Sequence, residues 1–279
     1  MTRVETCYRH SGRETGVSCS NCGRPICPDC MTATPVGMRC PECSRQKTPV
    51  RTLRNIYAQP TGTYILIGIN VLMYLGMWLS GGSSSSVYLD LVTIGTGRLN
   101  TGEEVGVAHG EVYRLVTGAF LHDPSNPLHI AFNMYILYWL GTMLEPVLGH
   151  LKFVALYFAS LLAGSFGVML AAPDQPTLGA SGAVFGLMAA AFVFQRARGV
   201  DPWRSGLGPV ILFNLALPFL FPNLNISIAA HIGGLIGGAI AALAMEWLGS
   251  RRRGDLLPVL ACVAVGAVSV VGAISVASG

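Results

Sequence analysis

The residues in this sequence that could do covalent chemistry are a serine and histidines that lie in apolar segments. Ser181 stands between small residues near the start of the run TLGASGAVFGLMAAAFVF, residues 177–194. A serine hydroxyl is a weak nucleophile unless a base accepts its proton, and His231, in another apolar run, is the candidate base. A lone serine in a membrane helix is also explained by a hydrogen bond to a carbonyl of its own helix. The serine alone therefore leaves a catalytic and a structural interpretation open.

A histidine and an asparagine could complete such a site. His129 and Asn133 are four residues apart, so they share one face of a helix. Both side chains can donate hydrogen bonds to an oxyanion that develops during acyl transfer, together with the backbone N–H of Ser181 near a helix N-terminus. No acidic residue is placed to orient His231, so the sequence predicts a dyad and not a triad.

Metal-ligating side chains are concentrated at the other end of the chain, in four pairs with two-residue gaps. The pairs are Cys7/His10, Cys19/Cys22, Cys27/Cys30 and Cys40/Cys43. Zinc takes four such ligands in a tetrahedron, whereas the histidine and the odd number of cysteines argue against the alternative, a disulfide framework. The short loop between Cys22 and Cys27 favours interleaved sites. One zinc ion would be bound by Cys7, His10, Cys27 and Cys30, and the other by Cys19, Cys22, Cys40 and Cys43.

These ligands define a small head, residues 1–47, whose spacing resembles a B-box-type zinc finger. A domain of this size buries little core, so we expect the two zinc ions to be structural and to supply its folding free energy. Reduced thiolates predict a cytoplasmic location. Scattered arginines and the lack of a DNA-reading finger helix argue against nucleic acid, and favour contact with a cytoplasmic protein or a purely structural role.

The composition indicates a membrane protein behind this head. Of 279 residues, 52% are hydrophobic and 11% are charged, whereas soluble domains are charged at about a quarter of their positions. Half of the 18 Lys and Arg residues lie in the first 54 positions, and seven of the eight cysteines lie before residue 44. The charged, cysteine-rich start predicts no signal peptide. A basic linker, 48–60, is expected to join the head to the membrane body.

Seven apolar runs predict an all-α, polytopic body, because a helix needs about 20 apolar residues to cross a bilayer. In chain order the predicted spans are 61–80, 125–147, 151–172, 181–195, 207–222, 226–248 and 256–277. A long connection, 81–114, separates the first two spans. Beyond the linker, Lys and Arg cluster after spans two, four and six. The positive-inside rule then predicts a cytoplasmic N-terminus and an extracytoplasmic C-terminus in the cell membrane.

The candidate catalytic residues fall at one predicted depth. Spans two, four and six enter from the outer face, and His129, Ser181 and His231 each lie about one turn from the start of their span. With a rise of about 1.5 Å per residue, this depth is roughly 5–10 Å below the outer surface. Glycines 233, 234, 237 and 238 should let span six pack closely against Gly182 and Gly186, which would bring His231 to Ser181. Because ionisable residues inside a bilayer are costly, the matched depth favours the catalytic interpretation.

At these residues the chain resembles the rhomboid intramembrane serine proteases. His-x-x-x-Asn (129–133), Gly-x-Ser-Gly (179–182) and Ala-His followed by spaced glycines (230–238) match the family in order and on the corresponding helices. EVYRLVTGAFLH (111–122) resembles the family's first-loop motif, and Gly141 with Glu145 resembles the end of its second helix. The resemblance covers about residues 61–249 and implies a rhomboid-like six-helix core. Residues 250–279, the additional seventh helix, lie outside it, as does the zinc-binding head.

The resemblance also implies an activity and roles for residues. The family cleaves transmembrane segments of other membrane proteins near the outer face of the lipid bilayer, without a catalytic cofactor. Ser181 would be the nucleophile and His231 the base, and His129 and Asn133 would serve the oxyanion hole. Two positions depart from the family: Tyr113 stands where Trp is frequent, and Phe185 stands where many members have Tyr. A Phe185 ring could still stack on His231, although it has no hydroxyl.

Two other functions are compatible with parts of the sequence. A non-catalytic rhomboid-like protein would bind transmembrane helices as an adaptor, but such relatives lose the serine or the histidine, and this chain keeps both. A transporter or channel with a zinc-finger head would show internal repeats with paired broken helices, and none is visible. Structural roles are predicted elsewhere: hydrogen bonds between helices for Asn70 and Asn214, a loop tether for Glu145, and contact with Arg251–Arg253 or water for Glu246.

Overall fold

The computed structural model describes most of the chain, in the segments 5–34, 36–45, 59–99, 102–221, 226–251 and 255–279. The chain divides into two compact units, Met1–Ile56 and Tyr57–Gly279. Nearly all of the predicted linker lies outside the described residues, as do Arg252 and Arg253.

The N-terminal unit has little apolar core of its own. Strand β1 (Glu5–Thr6) pairs antiparallel with β2 (Glu14–Thr15), β3 (Thr32–Thr34) pairs antiparallel with β4 (Gly37–Arg39), and a short helix follows, α1 (Pro41–Arg45). Apart from cysteines, its fully buried apolar side chain among the described residues is Ile26. Six of the seven cysteines of this unit, all except exposed Cys22, therefore occupy its interior, where metal ligands would be expected in a domain too small to fold on apolar burial.

The C-terminal unit is a helical bundle. Its helices are α2 (Thr61–Leu79), α3 (Ser86–Leu91), α4 (Arg114–Thr117), α5 (Pro127–Leu148), α6 (His150–Ala171), α7 (Ser181–Ala197), α8 (Leu207–Leu220), α9 (Ile228–Arg251) and α10 (Leu256–Ala277). Pro127 is the first residue of α5, a position whose backbone N–H has no partner within the helix, so a proline costs no hydrogen bond there. Gly149, with φ of +82°, makes the tight turn into α6. The predicted helical spans agree with these helices to within three residues at each end.

Four helices are long and apolar enough to cross a membrane. They are Thr61–Leu79, His150–Ala171, Ile228–Gly249 and Leu256–Ala277, while Ser181–Ala197 and Leu207–Leu220 are apolar but shorter. The protein is therefore a multi-pass membrane protein by its helices, and the count of seven spans stays a prediction.

Two asparagines of the membrane helices bind carbonyls of their own helices. Asn70 and Asn214 donate to the carbonyls of Leu66 and Val210, both at 2.8 Å, and their predicted hydrogen bonds between helices stay a prediction. An asparagine in a helix can always reach the carbonyl four residues earlier, which competes with any partner on another helix.

Two glutamates join neighbouring helices. Buried Glu145 caps the start of α2, accepting hydrogen bonds from the backbone N–H groups of Gly62 and Thr63 at 2.7 and 2.8 Å. Glu246 pairs with Arg198 of α7 at 3.0 Å, whereas its predicted contact with Arg251–Arg253 falls on side chains outside the described part of the structure.

Candidate active site

The start of α7 places Ser181 on a sharply turned segment. Ser181 is the first residue of this helix, and Ala180 is its N-cap. Gly179 has φ of +117°, in the left-handed region that favours glycine. A Cβ at Gly179 would also lie 2.9 Å from Nε2 of His129. Gly179, the first glycine of the Gly-x-Ser-Gly pattern, is thus needed for backbone conformation and for the close approach of the His129 ring.

Glycines bring α7 and α9 into backbone contact. A Cβ on Gly234 would overlap the carbonyl oxygen of Gly182, and a Cβ on Gly238 would overlap that of Gly186. These contacts confirm the predicted close packing of the two helices for half of the glycines. Gly233 and Gly237 instead face Ala163 of α6, because consecutive residues of a helix point about 100° apart.

Ser181 and His231 lie beside this crossing. The backbone of Gly182, next to Ser181, meets the carbonyl oxygen of Ala230, next to His231. The imidazole of His231 stacks on the ring of Phe185, with centroids 4.0 Å apart and planes inclined by 23°. This confirms that a phenylalanine can support the histidine at this position.

The buried His231 imidazole makes no hydrogen bond. Among the described residues neither ring nitrogen has a partner, so no Ser181–His231 hydrogen bond is formed in this structure. In substrate-free enzymes such hydrogen bonds are often long and tighten only when substrate binds. An unpaired buried imidazole beside a serine is a group that can accept a proton.

The two side chains that are predicted to serve the oxyanion hole lie on helix α5. Asn133 uses one N–H to bind the carbonyl of His129 at 3.0 Å, which leaves the second N–H of its amide available. The ring edge of His129 lies against Gly179, two residues before Ser181. The structure therefore brings His129, Ser181 and His231 to the same end of α5, α7 and α9.

His122 is a further buried histidine for which no role was predicted from the sequence. Its side chain is fully buried, its ring centroid is 5.1 Å from that of His129, and neither ring nitrogen has a partner among the described residues. No pattern in the sequence indicated its burial, because His122 precedes the polar run DPSNP and lies outside the predicted spans.

The loop before Ser181 is held by the long connection between α2 and α5, residues 80–126, which we call the outer loop after its predicted side of the membrane. Thr93 and Thr177 exchange two backbone hydrogen bonds, of 3.1 and 2.8 Å, and the N–H of Gly179 donates to the carbonyl of Gly118 at 3.1 Å. Gly118 is required here because a Cβ would overlap Thr93. These bonds fix the approach of the chain to the first turn of α7.

The buried side chain of Arg114 binds several segments of the outer loop. Its buried guanidinium donates to the carbonyls of Leu89 and Val92 at 2.8 and 3.2 Å, and to the Glu111 carboxylate at 2.7 Å. The Arg114 guanidinium holds the pKa of the Glu111 carboxyl below its usual range, and Glu111 in turn accepts from the N–H of Gly106. The motif EVYRLVTGAFLH thus ties three turns of the loop together.

The N-terminal unit brings its eight ligand residues into two groups. One contains Cys7, His10, Cys27 and Cys30, and the other contains Cys19, Cys22, Cys40 and Cys43, with the ligand atoms in each group within 4.8 Å of one another. All cysteines are free thiols. The structure thus brings together the sets that the sequence predicted and forms no disulfide framework.

The spacing of these atoms fits an ion with tetrahedral coordination. Nδ1 of His10 is 3.3, 3.5 and 3.9 Å from the sulfurs of Cys27, Cys30 and Cys7, and the sulfurs of Cys22 and Cys40 are 3.8 Å apart. Zinc–sulfur bonds of about 2.3 Å in a tetrahedron require sulfurs about 3.8 Å apart. The backbone N–H of Cys40, at 3.3 Å, lowers the pKa of the Cys19 thiol to about 6, which favours the metal-binding thiolate.

Comparisons with known proteins place the sequence of the helical unit in a family. The rhomboid domain family model matches residues 109–247. Rhomboid protease GluP of Bacillus subtilis (strain 168) is 34% identical over 202 residues, which cover 72% of this chain and 38% of GluP. The protein named "Putative rhomboid protease YdcA", from the same organism, is 35% identical over 155 residues, covering 54% of this chain and 76% of that protein. Rhomboid protease GlpG of Yersinia pestis (strain Pestoides F) is 31% identical over 182 residues, 64% of this chain and 57% of GlpG.

The chain thus spans less than two thirds of the length of GluP and of GlpG. The matched region contains Ser181, His231, His129 and Asn133, whereas the N-terminal unit and α10 lie outside it. The helices, the glycine contacts and the relatives lead to one conclusion: this chain belongs to the rhomboid family.

Proposed function

We propose that this chain is an intramembrane serine endopeptidase that cleaves transmembrane segments of other membrane proteins near the outer face of the bilayer. The observation that carries the proposal is the backbone contact of α7 with α9 beside Ser181 and His231. Unpaired polar groups are costly inside apolar helices. A serine beside a buried, unpaired histidine is therefore better explained by chemistry than by packing.

The proposed mechanism assigns each proton transfer to the dyad. His231 accepts the hydroxyl proton while Oγ of Ser181 attacks the carbonyl carbon of the scissile peptide bond. The developing oxyanion accepts hydrogen bonds from the backbone N–H of Ser181, which has no partner within its helix, and from His129 and Asn133. His231 then gives its proton to the leaving amine, and a water molecule hydrolyses the acyl-enzyme through the same base.

Labelling with a fluorophosphonate probe in membranes tests this proposal. The wild-type chain should be labelled, and Ser181→Ala and His231→Ala should each abolish labelling and cleavage of a model transmembrane substrate. The double variant should lose little more than either single variant, because the two groups act as a unit. A wild-type chain that folds but is neither labelled nor active would support the non-catalytic, helix-binding alternative.

For the N-terminal unit we propose two structural zinc ions bound by the two ligand groups. Each group is a closed set of four donors, which leaves no open position for a catalytic water. The ions would supply folding free energy to a unit that buries little apolar surface. A chain shortened to begin at Pro49 should therefore still cleave a substrate in detergent. If the shortened chain folds stably but is inactive, the N-terminal unit is required for catalysis. The binding of a cytoplasmic protein by this unit is part of the same proposal.

For the topology we propose a cytoplasmic N-terminus, an extracytoplasmic C-terminus and an active site that opens to the outside. The support is the asymmetric distribution of Lys and Arg along the sequence. In intact cells, an impermeant thiol reagent should label a cysteine placed at Ser84 and not one placed at Arg198, with the unaltered chain as background. The opposite labelling pattern would invert the topology.

A further inference from the structure

Helix α10 lies outside the matched rhomboid region but packs against elements that carry the candidate site. Its outer half joins an apolar cluster in which Ala273 is fully buried and Ile274 is partly buried. The same cluster contains Val107 and Leu115 of the outer loop, each 1% exposed, Phe166 of α6, and Ala230, the neighbour of His231. One helix face therefore contacts the outer loop and helix α6 together.

From the outer loop, a chain of backbone hydrogen bonds leads to the Ser181 segment. The N–H groups of Val107 and Ala108 donate to the carbonyls of Ile94 and Gly95, at 3.1 and 2.9 Å. The N–H of Gly95 in turn donates to the carbonyl of Pro173 at 2.6 Å, next to the Thr93–Thr177 pair. A displacement of the turn at Val107 would therefore reach the loop that ends at Ser181.

From α6, backbone contacts lead to His231. A Cβ on Gly272 of α10 would lie 2.7 Å from the ring of Phe166, so these two helices are in tight contact. Two residues earlier on α6, a Cβ on Gly164 would lie 3.1 Å from the carbonyl oxygen of Ala230 and 3.2 Å from the Cα of Gly182. At this point α6 contacts both helices of the proposed dyad through backbone atoms.

The opposite face of α10 makes no comparable contacts. Val268 and Val271 are 70% and 64% exposed, as expected for side chains that face lipid. The inner end of the helix is fixed by an ion pair of 2.8 Å between Asp255 and Lys152 of α6. The helix is thus held at its inner end by an ion pair, and one of its faces packs against α6 and the outer loop.

We propose that α10 is a positioning element for the active site, which holds the outer loop and α6 against the segments that carry Ser181 and His231. None of its residues touches substrate in this account. The proposal rests on the proposed protease activity, because its effect is on the geometry of the dyad. Without α10, Val107 and Phe166 would lose the helix that covers them.

The test compares Gly272→Leu with Val271→Leu in the full-length chain. Leucine at 272 must push Phe166 away, whereas leucine at 271 extends into lipid. We expect Gly272→Leu to lower kcat by about tenfold with little change in KM, because a small misplacement of reacting groups acts on turnover. Val271→Leu should match the wild type. Amide hydrogen exchange should rise at 107–110 and 173–180 in Gly272→Leu alone.

Compensation distinguishes positioning from simple destabilisation. Phe166→Ala restores room for the leucine, so the double variant should recover the kcat of Phe166→Ala alone. If Gly272→Leu does not fold, Gly272→Ala applies the same displacement on a smaller scale. Wild-type kcat in a folded Gly272 variant, or equal losses in Gly272→Leu and Val271→Leu, would overturn the proposal. A wild-type chain with no activity would instead refute the proposed function, while the exchange measurement would still test whether α10 holds the outer loop and the 173–180 segment in place.

Discussion

The contact of Gly234 with Gly182 allows a quantitative test of how the dyad is assembled. In Gly234→Ala the added Cβ would overlap the carbonyl oxygen of Gly182 and lie 2.7 Å from its carbonyl carbon. The obstacle is backbone, so it cannot rotate away. Restoring a carbon–carbon contact of about 3.5 Å requires α9 to move from α7 by about 1 Å.

This displacement would act directly on catalysis. His231 lies one turn before Gly234 on α9, and Ser181 is adjacent to Gly182 on α7. A misplacement of about 1 Å costs roughly 100-fold in rate, which corresponds to about 2.7 kcal/mol of transition-state stabilisation. Overpacking should also lower the free energy of unfolding by about 1–3 kcal/mol.

The assay is the rate of fluorophosphonate labelling per folded molecule, with cleavage of a model transmembrane substrate as the second readout. Gly249→Ala is the matched control, because it lies on the same helix with nothing within 4 Å of an added Cβ. The control should label at the wild-type rate. A wild-type rate in Gly234→Ala, or an equal loss in Gly249→Ala, would refute the role of the glycine contact.

Two further predictions concern the oxyanion hole and the zinc sites. Asn133→Ala should lower kcat by about 100- to 1000-fold, as the loss of one oxyanion donor does elsewhere, and a change in KM alone would mean that Asn133 binds substrate instead. Purified chain should contain two zinc ions by elemental analysis, and Cys7→Ser should lose one of them while Cys262→Ser, which belongs to neither ligand group, should lose none. Loss of both ions, or of neither, in Cys7→Ser would contradict two independent interleaved sites.

The helices could be predicted because an apolar run of sufficient length has few alternatives in a membrane. The two groups of metal-ligating residues followed from pair spacing, since two residues between ligands fit one turn of chain around an ion. The side of each helix that faces a given neighbour was harder to predict from the sequence. Gly233 and Gly237 were assigned to the same interface as Gly234 and Gly238, and only the structure shows that they face α6.

The outer loop was the part least accessible from sequence. The Thr93–Thr177 pair joins residues far apart in the chain through backbone atoms, and such bonds leave no pattern in residue types. Buried His122 and the covering role of α10 were missed for a related reason. Both depend on which apolar surfaces meet, and apolar runs alone do not specify their partners.

Phe185 is placed to orient the base of the proposed dyad, which has no acidic residue. In place of a carboxylate, the ring of Phe185 lies 4.0 Å from that of His231, and aromatic pairs of this kind are worth about 0.5–1.5 kcal/mol. Phe185→Leu should therefore lower kcat by about two- to tenfold, at 1.36 kcal/mol for each factor of ten. Phe185→Tyr should retain activity because the ring is kept. Phe194→Leu, which changes another buried phenylalanine near the C-terminus of α7, controls for lost packing. Equal effects of the two leucine substitutions would mean that stacking does not orient His231.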